Sequence, residues 1–184
     1  MSEKPAGTGG FLDPDKIIEG FGIKEGMTIS DFGCGAGYFA ISLAQKAGTS
    51  GRVYAFDIQE YALDNVRAKA RDNSLDNIET VRTNLEIAGS SGLSDNSQDI
   101  VLLANILFQS NKKSDIIKEA ARVVAPKGTL IIIDWKNGSN GFGPPKELRL
   151  NLDEIRKITE KEGLSFASTI DAGDFHFGLV FSKK

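Results

Sequence analysis

Asp31-Phe32-Gly33-Cys34-Gly35-Ala36-Gly37 joins a short apolar segment, Met27–Phe32, to a helical stretch, Tyr38–Ala47, that Gly48 ends. The glycines open backbone conformations that other residues avoid. Strand, glycine turn and helix in direct succession are the start of a βαβ unit. A glycine-rich turn alone carries little information. Here Asp31 stands two positions before the first glycine, and Asp57 closes the next apolar segment twenty residues after Gly37. A ligand site at this turn is the expectation.

The same alternation runs outward from it. Upstream, Asp13-Pro14 starts a helix through Ile17, Ile18 and Phe21 that stops at Gly22, since Asp caps and Pro suits the first helical position. Downstream, Arg52–Ile58 reads as a second strand and Glu60–Asp72 as a helix with Leu63, Val66 and Ala70 on one face. Ile78–Thr83 is a third strand. Asp99–Ala104 is a fourth, apolar on both faces as buried parallel strands are. A helix carrying Ile116, Ile117, Ala120, Val123 and Val124 follows and is expected to end at Pro126-Lys127-Gly128, before a fifth strand, Thr129–Asp134.

Residues 136–150 hold three glycines and two prolines and read as a long loop near the active site; loops of that length are commonly functional. Asn151 to Glu154 has capping-box spacing and opens a last helix, which Gly163 closes. Leu164–Ile170 and Phe175–Ser182, separated by Asp171-Ala172-Gly173-Asp174, can only form a hairpin, because a parallel crossover needs a dozen residues or more. Five βα units and this hairpin predict an α/β Rossmann-like three-layer sandwich. Its sheet has seven strands, mostly parallel, with the last antiparallel, and ligands bind at the carboxyl ends of such strands.

Composition narrows the class. The chain has 184 residues, 40% hydrophobic and 26% charged, with a formal net charge of −3. One domain over 1–184 is expected, with 1–10 as a flexible lead-in. The acidic balance argues against nucleic acid as a partner. One cysteine, Cys34, excludes internal disulfides and multi-cysteine metal sites; one histidine, His176, removes histidine clusters. No apolar run is long enough for membrane insertion, and MSEKPAGTGGF lacks the apolar core of a secretory signal, so a cytoplasmic location is expected.

The glycine spacing separates two ligand classes. A dinucleotide turn is G-x-G-x-x-G, with a helix N-terminus facing pyrophosphate. Here the third glycine comes one residue early and Tyr38 occupies its place. The Asp31 carboxylate would repel a pyrophosphate but favour an ammonium or sulfonium. Asp57 can accept from both hydroxyls of a ribose.

The pattern D-x-G-x-G-x-G with an acid ending the second strand resembles the class I S-adenosylmethionine-dependent methyltransferases. The stretch from Phe11 to about Trp135, and Glu119 to Ile131 in particular (EAARVVAPKGTLI), is similar to their small-molecule branch, which includes the quinone-ring enzymes. The resemblance implies S-adenosylmethionine as cofactor and S-adenosylhomocysteine as product. It implies that Asp31, Gly33, Cys34, Gly35 and Gly37 line the methionine portion, that Asp57 holds the ribose and that Ile58 lies against the adenine. Asn84-Leu85 stands where the family usually has an acid and an apolar residue. Asn84 would meet the adenine amino group and Leu85 would offer its amide, while the carbonyls of Ala104 and Asn105 would meet the cofactor's amino group.

The expected function is methyl transfer to a small organic or lipid-like acceptor, mainly by positioning and without metal. The alternative is a non-catalytic cofactor-binding regulatory or assembly subunit. Ala104-Asn105-Ile106-Leu107 is not the N/D-P-P-Y/F sequence of base-amino methylases, and catechol-type enzymes need an acid where Ala104 stands. No catalytic residue is identified. His176 is a candidate base or a structural histidine; Tyr38, Phe108, Trp135 and Phe142 are candidate acceptor contacts. The acceptor site would come from residues 1–25, the loop after Asn105 and the loop 136–150, and a second copy in a homodimer could complete it.

Overall fold

A computed structural model describes residues 12–138 and 142–184. The expected lead-in, 1–10, and Gly141 in the long loop lie outside the described residues. Among them, the strands are β1 (Thr28–Phe32), β2 (Arg52–Asp57), β3 (Ile78–Arg82), β4 (Gln98–Ala104), β5 (Val124–Trp135), β6 (Leu164–Asp171) and β7 (His176–Lys183). They form one sheet in the order β3-β2-β1-β4-β5-β7-β6. β1 to β5 pair in parallel, and β7 inserts antiparallel between β5 and β6. Strand order reverses between β1 and β4, where open α/β sheets bind their ligands.

Alternation along the central strands sorts the core into two layers. Ile100 and Leu102 of β4, with Ile131 and Ile133 of β5, pack toward α1 (Pro14–Ile17), α2 (Tyr38–Ala47) and α3 (Glu60–Asp72). Val101, Leu103, Leu130 and Ile132 point the other way, with Phe32 and Phe56, onto α4 (Lys113–Val123) and α5 (Leu152–Lys161). That is the expected three-layer sandwich. No helix of the described residues is long and apolar enough to cross a membrane.

Three details differ from the sequence reading. Only four of the five expected βα units contain a helix, because the β3–β4 connection is built of turns. Its short polar run contains Gly89 and Gly92, both at positive φ, and no apolar stripe to pay for a helix there. Pro126-Lys127-Gly128 does not end α4: that helix stops at Val123, and β5 already begins at Val124. Pairing steps from Gln98–Val124 to Ile100–Thr129, so the intervening residues bulge from the strand, where proline's missing N–H does no harm. Finally, the Asp13–Gly22 helix is one α turn, with Asp13 capping Lys16, followed by a 3₁₀ turn over Ile18–Phe21.

Candidate functional site

The carboxyl ends of β1, β2 and β4 and the turns that follow them frame two adjoining cavities. The first, about 460 Å³, is lined by Gly33 and Gly35, by Asp57, Ile58 and Tyr61 after β2, and by Asn84, Leu85, Ile106 and Gln109. The second, about 350 Å³, shares Gly33, Gly35 and Gln109 and continues to Asp31, Cys34, Tyr38, Ala104, Asn105, Trp135 and His176. All eleven candidate residues except Gly37 line one or both.

Gly37 shapes the turn from behind. It caps α2 at φ 80°, and a Cβ there would meet Val66 Cγ2 at 2.6 Å. Gly33, also at φ 80°, leaves room for Ile106 in the same way. The turn is tied down by its own amides. Gly33 and Cys34 N–H donate to the Phe56 carbonyl at 2.9 and 2.8 Å, and Gly37 N–H donates to the Cys34 carbonyl. Gly35 N–H donates to Asp57 Oδ2 at 3.0 Å. Four amides that would otherwise cradle a phosphate are therefore engaged within the protein.

What the turn presents is a carboxylate. Asp31 is 1% exposed, and its Oδ2 has no hydrogen-bond partner among the described residues. Burial, and then the Asp57 charge, raise its pKa to about 7. Asp57 accepts from Gln59 N–H through Oδ1 as well as from Gly35, so it fastens the glycine turn while facing the first cavity. Ile58 and Tyr61 stand 55% and 66% exposed at that cavity's edge and give it an apolar rim of the kind a flat ring can lie against. Cys34 is buried, and burial followed by the Asp31 charge raises its thiol, so it stays protonated and unreactive.

Two assignments change in detail. Asn84 Oδ1 accepts from Glu86 N–H at 3.0 Å, closing a turn, so its carbonyl is already shared. The Asn105 main-chain carbonyl accepts from Gln109 Nε2 at 2.6 Å. Its side-chain Oδ1 is the atom left buried without a partner among the described residues, on a backbone at φ 55°. Phe142, a third change, meets Phe175 edge to face with ring centroids 5.3 Å apart and lines neither cavity.

Of the candidate base and acceptor contacts, His176 and Trp135 meet at the second cavity, whereas Asp134 and Glu119 carry no sequence signal of their roles. His176, at the first position of β7, is 1% exposed, lines the second cavity and has both ring nitrogens without partners among the described residues. Burial, then the Lys136 charge, lower its pKa to about 4, so it is neutral. Trp135, its partner in the β5–β7 register, lies 4.2 Å away between ring centroids. Asp134 is fully buried beneath, accepting from Trp135 and Phe108 N–H, and burial raises it to about 7. Glu119 organises the β3–β4 connection by accepting from Gly89 N–H, Ser91 N–H and Oγ, and Arg122. Burial alone would raise its pKa, yet those donors outweigh burial and hold it at about 2. Only the chain's topology brings these residues together.

Comparison with known proteins agrees with this geometry. The sequence pattern of a family described as "Methyltransferase domain" matches residues 23–172. A SAM-dependent methyltransferase from Aquifex aeolicus superposes with TM-score 0.86 at 30% identity, covering 98% of this chain and 95% of that one. The demethylmenaquinone methyltransferase of Lactococcus lactis is 29% identical over 119 residues, 65% of this chain and 46% of its own length. The ubiquinone/menaquinone biosynthesis C-methyltransferase of Hahella chejuensis is 30% identical over 124 residues, 67% of this chain and 49% of its own. The chain thus spans about half the length of these curated relatives.

Proposed function

Because this chain belongs to the class I S-adenosylmethionine-dependent methyltransferases, we propose that it transfers a methyl group from S-adenosylmethionine to a small, uncharged ring acceptor. The observation that carries the reading is the character of the glycine turn. Its amides are engaged internally and a buried, unpartnered carboxylate oxygen faces the cavity, which suits a cationic, phosphate-free nucleoside and not a dinucleotide.

The residues fit that cofactor. Asp31 Oδ2 and Asn105 Oδ1 are buried acceptors without partners among the described residues, and an α-ammonium would supply the donors they lack. Asp57 takes the ribose hydroxyls on the lone pairs its two amide partners leave open. Ile58 and Tyr61 cover the adenine, with Asn84 and Leu85 at its edge. Gly33 and Gly35, with Cys34, let the backbone approach, while Gly37 holds the turn from behind. Bound there, S-adenosylmethionine supplies an already activated methyl group, so the protein's part is alignment and exclusion of water; orientation alone contributes roughly 7–11 kcal/mol in well-aligned systems. No metal enters this scheme, and EDTA should leave turnover unchanged. The chain acts as one domain, in the cytoplasm.

The test is thermal unfolding with S-adenosylhomocysteine. At one hundred times its dissociation constant it should stabilise the protein by about 2.7 kcal/mol, roughly 5–10 °C for a chain of this size. Asp57→Ala should abolish most of that shift. Because Asp57 also fastens Gly35 and Gln59, the variant should melt a few degrees lower without ligand too. An unshifted wild-type melt, or a shift with NADH instead, would refute the assignment.

A further inference from the structure

We propose that the second cavity is the acceptor site and that His176 is the base within it, taking the proton of a hydroxyl group on a flat, uncharged ring. This rests on the cofactor reading above, which puts the nucleoside in the first cavity and only the amino acid tail, at Asp31 and Asn105, in the second, leaving the part beside Trp135 and His176 for the acceptor.

The cavity is walled by Leu12, Tyr38, Phe39, Phe108 and Trp135, and no lysine or arginine lines it among the described residues. Such walls favour an aromatic ring and disfavour an anionic acceptor, which would need a counter-charge. The polar side chains not assigned to the cofactor are Tyr38, Gln109, Trp135 and His176, and of these only His176 has buried polar atoms left without a partner among the described residues. Its ring is buried beside Trp135, and neither nitrogen has a partner among the described residues. A neutral imidazole carries one acceptor and one donor nitrogen. A hydroxyl on the bound ring satisfies the acceptor, and burial keeps that lone pair free near neutral pH.

In the reaction, His176 accepts the hydroxyl proton on its unprotonated nitrogen. The electron pair released on oxygen, or shared with the adjacent ring carbon, takes the methyl group as the methyl–sulfur bond breaks onto sulfur. Transfer to oxygen leaves an ether, a neutral thioether and an imidazolium that loses its proton to water. Transfer to carbon expels that carbon's hydrogen as a proton to water while His176 returns its own to the oxygen. A weak base suffices, because the oxygen grows more acidic as its electron pair is drawn toward the methyl group.

Trp135 is the chain's one tryptophan and lines this cavity, so its fluorescence reports occupancy without turnover. The experiment uses protein saturated with S-adenosylhomocysteine and titrates naphthohydroquinone, kept anaerobic, against its dimethyl ether, which has the same ring but no hydroxyl proton. The diol should quench saturably and bind at least ~10-fold tighter than the ether, the preference expected of a site with an unpaired polar group. His176→Gln, which bonds but cannot take the proton, should bind the diol within about threefold of wild type and lose roughly 100-fold or more in labelled-methyl incorporation. His176→Leu should lose the preference for the diol. Stabilisation by S-adenosylhomocysteine shows that each variant is folded and that the cofactor reading stands. With that stabilisation present, equal binding of diol and ether, no methyl incorporation by the wild type, or full turnover by His176→Gln overturns the proposal. If S-adenosylhomocysteine fails to stabilise even the wild type, the cofactor reading itself falls, and this proposal with it.

Discussion

Burial and the neighbouring Asp57 charge keep Asp31 half-protonated near neutral pH, at about 7, although it faces the cavity proposed for an ammonium. Ionised Asp31 therefore costs the empty protein stability and serves the bound one. The unfolded chain releases this proton near 4 and the folded chain near 7, so the contribution to stability falls as pH rises through that window. Asp31→Asn should make the ligand-free protein more stable than wild type at pH 8, by on the order of 2 kcal/mol in urea titrations. The same variant should bind S-adenosylhomocysteine poorly and with no pH dependence. Wild-type affinity should climb about tenfold from pH 6 to pH 8 as the carboxylate ionises; a flat profile would mean that Asp31 does not meet the amino group. Gly37 is the complementary case, a residue that never touches the ligand. Gly37→Ala imposes a left-handed backbone on an L-residue and drives a methyl into Val66, so about 2 kcal/mol of stability and most of the ligand shift should be lost together.

At the scale of elements, the parts legible in the sequence were those whose signal is local. Met27–Phe32, the glycine turn and Tyr38–Ala47 announce themselves by an apolar run, three glycines and a helical stripe, and β1 and α2 occupy them nearly residue for residue. The Asn151 cap is equally local: its side chain accepts from the Asp153 and Glu154 amides. The β3–β4 connection was misjudged because what orders it is distant. Glu119, some thirty residues downstream, collects the Gly89 and Ser91 donors, and Arg122 neutralises it. Nothing in residues 83–97 foretells that. His176 was legible in part: a lone histidine opening a strand reads equally as a base or as structural until the β5–β7 register sets it beside Trp135 at the cavity. Glu119→Gln should cost about 2–3 kcal/mol, since it removes a charge from a mostly buried, multiply bonded pair. It should also weaken S-adenosylhomocysteine binding several-fold without touching the ligand, because the connection carries Asn84 and Leu85. Normal binding by a destabilised Glu119→Gln would separate the two roles. Arg149 does similar work for the other long loop, donating to the carbonyls of Lys136, Phe142 and Pro144. Arg149→Ala should speed amide exchange over 142–149 while leaving the central strands protected.

Across the whole molecule, the buried titratable groups that lack full compensation gather at one end of the sheet. Asp31 and Asp134 sit in β1 and β5 with pKa values raised to about 7 by burial, and His176 opens β7 with its own lowered to about 4. Glu119, fully paired elsewhere, contributes stability that is lost only as pH falls from about 4.5 through about 2. Proton counting over the remaining range gives a definite curve. Between pH 4.5 and 6.5 the folded chain holds two aspartate protons that the unfolded chain has released, and the unfolded chain holds one on histidine that the folded chain rejects. Folding therefore takes up a net one proton, and ligand-free stability should fall by about 1.4 kcal/mol per pH unit, more steeply from 6.5 to 7 once histidine no longer offsets it. Saturation with S-adenosylhomocysteine holds Asp31 ionised by pairing it with the amino group. Asp134 and His176 then cancel, and the slope over pH 4.5–6.5 should vanish. Urea unfolding across that range, with and without the ligand, reads both slopes. Parallel curves would show that the carboxylate at the end of β1 is not what the ligand engages, whereas a liganded curve that levels to a plateau ties that buried carboxylate to the ammonium it is proposed to hold.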